Sequence, residues 1–356
     1  MAELRITRVT SDDVRGLKQW HAVMREGYGA DRTTPWWLSE AAMLTQFALP
    51  RRDKTDIALI ARLGEEPIAA AEVTLIADSP ADVELTVLPP HRRRGHGTAL
   101  AEAVEQILRD SPAEVVQTET YTPAGIAFAE ARGMHVGNRE QRLLLDLPAY
   151  LDADANRYKR PRTPAPPVGP ADPTTVRPDP DWTITSWIGM CPEDLVEAWA
   201  RLRTQMDEDV PLGDLTRPDH HADVAAIRTH EERMDEQGWV LVSSLAQIDT
   251  AESGAESGPL AVGYTEIMVS RHDPTFAIQE DTLVDRAHRG QGIGRALKVA
   301  NMRQLHDVPE AGGSRWLQTY TAVDNTAMLA LNDDLGFVVA DTMTALEGPV
   351  LDYTDQ

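Results

Sequence analysis

Cysteine is almost missing from this chain: Cys191 is the only one among 356 residues. A single thiol excludes an internal disulfide and suits a reducing compartment. Its setting, "GMCPEDL", reads as the entry to a helix with no cue for thiol chemistry, so Cys191 is taken as structural. Long apolar runs are missing too. No stretch approaches the ~20 apolar residues of a membrane span. The opening "MAELRITRVT" carries neither an apolar signal core nor twin arginines. The expectation is a cytoplasmic protein without a membrane partner. Positive charge is scarce, with 34 Lys and Arg against 57 Asp and Glu and a net charge of −23. That field argues against nucleic acid and anionic membrane, and suits either solubility or a cationic small molecule. The oligomeric state is not legible from sequence.

The chain is long enough for two ordinary domains, and a hydrophobic fraction of 42% fits a globular protein. The stretch from Asp152 to Trp182 is dense in proline and lacks apolar periodicity, as expected of a semi-rigid linker. It divides the chain into a domain over 1–150, a linker over 151–181 and a domain over 182–356. Both halves read in one order: a strand, two helical stretches (the first capped by Ser11 in the first half), a run of strands, then strands alternating with helices. In the second half, "DTAESGAESGP" reads as a hairpin loop. This order indicates an α+β fold with a mixed sheet that is parallel in one part.

A motif is duplicated with the elements. Val87, Arg92, Gly95 and Gly97 align with Val284, Arg289, Gly292 and Gly294 in the shared string V-x-x-x-H-R-x-x-G-x-G. Glycine is a poor helix former, about 1 kcal/mol worse than alanine, yet here it opens a helix. Bare backbone at a helix N-terminus lets unpaired N–H groups approach a phosphate, and a nearby arginine adds a cation. The site therefore suits a pyrophosphate. The Rossmann spacing and the P-loop G-K-[ST] are both absent.

This motif resembles the acetyl-CoA pyrophosphate loop of the GNAT superfamily of N-acetyltransferases. "NTAMLALNDDLGF", from Asn325 to Phe337, is similar to that superfamily's second signature. The resemblance spans nearly the whole chain outside the linker, in a tandem layout like that of mycothiol synthases. It implies two GNAT domains, each a mixed sheet flanked by helices, with acetyl-CoA as co-substrate. It further implies that amides of Arg289, Gly290, Gln291, Gly292, Ile293, Gly294 and Arg295 hold the pyrophosphate. The strand end at Leu283 and Val284 would receive the pantetheine arm, and Asn325 would hydrogen-bond it. Where the superfamily often has a tyrosine that protonates the leaving thiolate, this chain has Asn332. Tyr320 and Tyr264 are the alternative donors, unless the thiol leaves as thiolate. The first half retains Val87, Arg92, Gly95 and Gly97 but has Thr122 and Ala129 at the second signature. It is read as a degenerate copy, and the second half as catalytic.

Acetylation needs a neutral amine, and alkyl ammonium groups have pKa values around 10.4, so a general base is expected. The candidates are Glu266 and Asp281. Strict alternation along the strand would place Glu280 and Asp281 on opposite faces. Asp207, Asp209 and Asp214 in "QMDEDVPLGDLTRPDHH" would attract a cationic acceptor amine. A non-catalytic acyl-CoA-binding protein is the alternative reading. "HEERM" at His230 lacks a second histidine, and His220 and His221 lack partners at ligand spacing, so no metal is expected. Trp36 and Trp37 would line a first-half pocket or belong to its core.

Overall fold

The computed structural model describes residues 3–49, 54–159, 182–217, 222–249 and 259–350, and each half lays down the same elements in the same order. The first half begins with β1 (Leu4–Val9), α1 (Val14–Gly29), α2 (Glu40–Ala48), β2 (Lys54–Leu63) and β3 (Glu66–Ile76). It continues through β4 (Ala81–Val87), α3 (His96–Arg109), β5 (Val115–Thr120), α4 (Pro123–Glu130) and β6 (His135–Asp146), then α5 (Leu147–Lys159). The second half begins with β7 (Trp182–Ile188), α6 (Val196–Asp209), α7 (Val224–Glu236), β8 (Trp239–Ile248) and β9 (Leu260–Ser270). It closes with β10 (Phe276–Val284), α8 (Ile293–Gln304), β11 (Trp316–Ala322), α9 (Thr326–Leu335) and β12 (Val338–Pro349). Residues 160–181 of the proline-rich stretch, most of the second-half hairpin loop, and His220 and His221 lie outside the described residues.

Local signals set most boundaries, with one correction. Helix α1 starts at Val14 because the Asp13 carboxylate accepts the Gly16 N–H at 2.8 Å, so Asp13 and not Ser11 is the N-cap. The aligned Thr122 and Asn325 both act as N-caps, accepting from Gly125 N–H at 3.1 Å and Met328 N–H at 3.2 Å. Helices α3 and α8 have no side-chain cap and open instead on left-handed glycines.

The strands form one twelve-stranded sheet in the order β1-β2-β3-β4-β5-β12-β6-β11-β10-β9-β8-β7. Pairing is antiparallel except for β4 with β5 and β10 with β11. The halves exchange their last strands: β12 pairs with β5, while β6 pairs with β11. Leu143, Leu145 and Leu147 therefore pack in the second-half core with Val242, Ile267, Leu317 and Phe337. The first-half core gathers Leu59, Ile68, Val73, Leu100 and Val104 under α3, with Val350 from the end of the chain against it. Among the described residues, no helix is long and apolar enough to cross a membrane.

Candidate active site

Both glycine loops adopt one backbone path. Gly95 and Gly292 each have φ +84° as the residue before the helix. Two residues earlier, Gly290 has φ +76°, and Arg93 takes the matching position at φ +61°. A Cβ built at Gly95, Gly290 or Gly292 would meet no atom within 4 Å. The left-handed backbone, together with an open face, is what these positions require. Gly97 and Gly294 differ, since a Cβ there would touch Val87 or Val284 at 3.5 Å. The first intrahelical bond of α8 is Ala296 N–H to Gly292 O at 3.1 Å. The preceding N–H groups of Ile293, Gly294 and Arg295 lack helical acceptors, the arrangement at a helix N-terminus that suits an anion.

The motif arginines are anchored. Arg289 donates through Nε to Val284 O at 2.9 Å and through a terminal nitrogen to Asp209 at 2.6 Å. Arg92 repeats this with Val87 O at 2.9 Å and Asp31 at 3.1 Å. Each guanidinium ties the loop to the strand end and to a carboxylate at the end of the half's first long helix. Arg286 shares Asp209. Although burial opposes ionisation, hydrogen bonds from Arg286 and Gln205 hold the Asp209 carboxyl below the usual range. Asp209 is thus an anchor of the loop, which corrects its reading as a free amine attractor. Arg295 extends outward to Asp334 at 2.6 Å.

Past the loop, two parallel strands separate. β10 pairs with β11 only from Phe276–Ile278 to Trp316–Gln318, and β4 with β5 only at Ala81 and Asp82. Beyond these pairs each half has an open gap between strands. In the second half the β9–β10 register breaks between Gln279 and Thr282, so Glu280 and Asp281 form a β-bulge opposite Glu266. The bulge interrupts the alternation expected for these two residues. The first half lacks it, with β3 and β4 in unbroken register from Ala69–Val87 to Thr74–Asp82.

The bulge gathers both base candidates. Glu266, 4% exposed, accepts from Ser243 Oγ at 3.1 Å and from Arg203 at 3.2 Å. Burial raises its carboxyl above the usual range, against the attraction of Arg203. Asp281 accepts from the Tyr264 hydroxyl at 3.0 Å and lies 3.4 Å from Arg203. Tyr264 is fully buried, and burial followed by the Asp281 charge raises its phenol. The sequence reading missed Arg203 and Gln279. The Gln279 amide donates to Glu266 O at 2.7 Å and to Asp281 O at 3.2 Å, so it pins the bulge. A polar residue in an otherwise apolar strand segment was the available signal.

Other expected residues lie elsewhere. Tyr320 hydrogen-bonds the Tyr121 hydroxyl at 2.8 Å in the seam between halves, and burial raises its phenol. Tyr121 in turn receives the Tyr28 hydroxyl at 2.9 Å. Asn332 is fully buried, accepts from Lys298 Nζ at 3.0 Å and donates to Thr321 Oγ1 at 3.1 Å. Its amide is committed to this contact and does not face an opening, a correction to its reading beside a thioester. Burial pushes the Lys298 ammonium down to about 7. Asp207 lies near the Arg203 charge on α6. Asp214 is further displaced: its N–H bonds Gly137 O at 3.0 Å, so this loop packs on the first half and not over Glu266. Its neighbour Thr216 bonds Glu347 Oε2 at 2.6 Å and receives Gln117 at 2.9 Å. Within "HEERM", Glu231 accepts from Cys191 N–H at 2.7 Å, a structural task. Burial raises the Cys191 thiol to about 12. Trp36 and Trp37 do line a first-half cavity.

Two copies of a splayed strand pair, each leading through a left-handed glycine into a helix, define a tandem GNAT fold. The comparisons with known proteins support an acetyl-CoA-dependent acetyltransferase of this tandem layout. The acetyltransferase (GNAT) family profile matches residues 18–134, in the first half. The chain is similar to the mycothiol acetyltransferase of Nocardiopsis dassonvillei, 27% identical over 285 residues, covering 77% of this chain and 76% of that one. It is similar also to the mycothiol acetyltransferase of Parafrankia sp. (strain EAN1pec), 26% identical over 319 residues, covering 78% and 79%. Among solved structures, a tandem GNAT protein from the clavulanic acid biosynthesis pathway superposes with a TM-score of 0.74 at 21% identity, covering 98% of this chain and 99% of that one. A GCN5-related N-acetyltransferase from Sphaerobacter thermophilus gives 0.61 at 18% identity, covering 99% and 98%.

Proposed function

We propose that the chain transfers an acetyl group from acetyl-CoA to the primary amine of a small cationic acceptor, in the second half, by direct attack in a ternary complex. The observation that carries this reading is the bulge that gathers Glu266 and Asp281 beside the strand gap leading into the Gly292 loop. The names of the mycothiol acetyltransferase relatives support a small-molecule acceptor. On this reading residues 1–150 and 182–356 are the functional units, joined by the proline-rich linker.

The open left-handed glycines and free helix N–H groups fit a pyrophosphate, so Gly290 to Arg295 would hold acetyl-CoA, which supplies the activated acetyl thioester. Arg289 would act by fixing the loop. The Asn325 amide, whose Oδ1 already caps α9, would offer its N–H side to the pantetheine arm. Glu266 would take the ammonium proton of the acceptor, while Arg203 holds the carboxylate in place and Asp281 keeps Tyr264 oriented. A raised carboxyl is a better match to an amine's proton than an ordinary one. No side chain need protonate the departing thiol, because a free thiol pKa is about 8.5. The acidic surface and single buried thiol support a cytoplasmic enzyme acting on a small molecule.

Release of free thiol from acetyl-CoA in the presence of an amine library tests the reading. Acceptor-dependent thiol release that Glu266→Gln depresses is expected. Its absence with every amine would overturn the acceptor class.

A further inference from the structure

Around the first-half strand gap, cavities open on both faces. One, of about 140 Å³, lies beneath α3 and α4 and includes Ala101, Ala129 and Phe128. The counterparts of Ala101 and Ala129 in the second half are Lys298 and Asn332, which meet each other in the core. The other cavity, of about 480 Å³, lies against α1 and α2. The two share Val83, Thr118 and Glu119 across the gap. The larger cavity is lined by Trp20, Trp36, Trp37 and Phe47 together with Glu72, Asp82, Glu84, Glu119 and the cation Lys54. Leu215, from the loop that crosses over from the second half, and Ala345 of β12 complete the lining.

No cation pairs directly with Glu72 or Glu84; Lys54, which also lines the cavity, attracts Glu72, and Arg32 attracts Glu84, each without an ion pair. Ala69 pairs with Val87 as Gly263 pairs with Val284, so Glu72 and Glu84 occupy the places of Glu266 and Asp281. In the second half Arg203 lies between the corresponding pair. Counting from the equivalent tryptophans Trp20 and Trp199 puts the buried, uncharged Met24 in the place of Arg203. Glu72 and Glu84 make no hydrogen bond or ion pair among the described residues. Lys54 pairs with Asp56 at 2.8 Å, and Arg32 with Asp341 at 3.0 Å while stacking on Tyr28 and Tyr121. Desolvation first, then neighbouring carboxylates, pushes Glu72 up to about 7 and Glu84 up to about 8. Glu119 is driven to about 7 by the same causes, and Asp82 and Glu140 are raised by burial. Acids without an ion pair that share one hollow with aromatic rings are complementary to a positively charged organic ligand, which both carboxylates and π faces attract.

We propose that this first-half cavity is a binding site for a small organic cation, held by Glu72, Glu84 and the tryptophan rings. The first half then carries a ligand site of its own, completed by Leu215 and by Ala345 of β12. The proposal stands apart from the acetyl-transfer reading, and its test uses no turnover.

The full chain, without CoA, is screened by thermal shift at about pH 8.5 against linear polyamines, amino sugars and quaternary ammonium compounds, with calorimetry on the compounds that shift it. A cation should bind the wild type, lose at least roughly tenfold in affinity with Glu72→Gln/Glu84→Gln, and weaken with Trp37→Ala. Affinity should also drop toward about pH 6, where Glu72, Glu84 and Glu119 hold protons and Lys54 and Arg32 remain charged. The double variant relieves repulsion, so its ligand-free midpoint at about pH 8.5 should rise, which separates lost binding from lost folding. The proposal is overturned if no cation shifts the wild type. It is equally overturned if the double variant binds as well, or if Glu266→Gln alone removes binding.

Discussion

Arg142 of β6 and Asp341 of β12 form a two-point ion pair, Nε to Oδ1 at 2.7 Å and a terminal nitrogen to Oδ2 at 3.0 Å. Arg142 is fully buried, and it also bonds Gln318 of β11 at 2.9 Å and the Thr33 and Thr34 carbonyls at 3.1 Å. One guanidinium thus joins both exchanged strands to the first-half loop after α1. Asp341→Asn leaves Arg142 without its counter-charge and should cost about 3–5 kcal/mol in chemical denaturation. Burial works against the Asp341 carboxylate, yet hydrogen bonds from Arg142 and Arg32 keep it below its ordinary range. A depressed carboxyl stabilises above its unfolded pKa of about 3.9 and loses that contribution as pH falls through the lower folded value. The wild type should therefore lose stability in acid, and Asp341→Asn should flatten that loss.

Strand exchange makes a second expectation. A fragment ending at residue 159 lacks β12, so β5 and β6 would each present an unpaired edge. It should be insoluble or lack cooperative unfolding when expressed alone. Co-expression with residues 182–356 should restore a soluble complex. A first-half fragment with a sharp, reversible melting transition would count against the shared sheet.

Gly292 has φ +84° with open space at its Cβ position. Gly292→Ala should therefore cost only about 1–2 kcal/mol, from backbone strain without a clash. Gly292→Asp adds a negative charge to the anion opening and should remove CoA binding at the second loop while adding little further instability. Calorimetry with CoA on both variants separates the effects. Arg289→Glu should act similarly, because it loses the Val284 carbonyl bond and faces Asp209 with like charge.

Glu266→Gln tests the base. Loss of general-base assistance should lower turnover by about 10²-fold or more near neutral pH. Part of it should return at high pH, where free amine supplies itself. CoA affinity should not change, since Glu266 contacts Arg203 and Ser243 and not the loop. Wild-type rates across the pH range would place the base elsewhere.

The sequence by itself determined what rests on near neighbours. The glycine loops, the strand and helix order and the duplication all follow from short-range backbone chemistry, and they carry the resemblance to the GNAT superfamily. Only the tertiary structure decided what depends on distant partners. The exchange of β6 and β12 is invisible to periodicity, because either strand has the same apolar pattern whichever sheet it completes. The bulge at Glu280 and Asp281 arises from pairing with β9 and from the Gln279 amide, so alternation along one strand could not foresee it. Asp209 and Asn332, and the backbone at Asp214, read as open polar groups along the chain. Packing gave each a partner in Arg289, Gly137 or Lys298, because buried charge and backbone must be satisfied wherever the fold brings a donor or acceptor close.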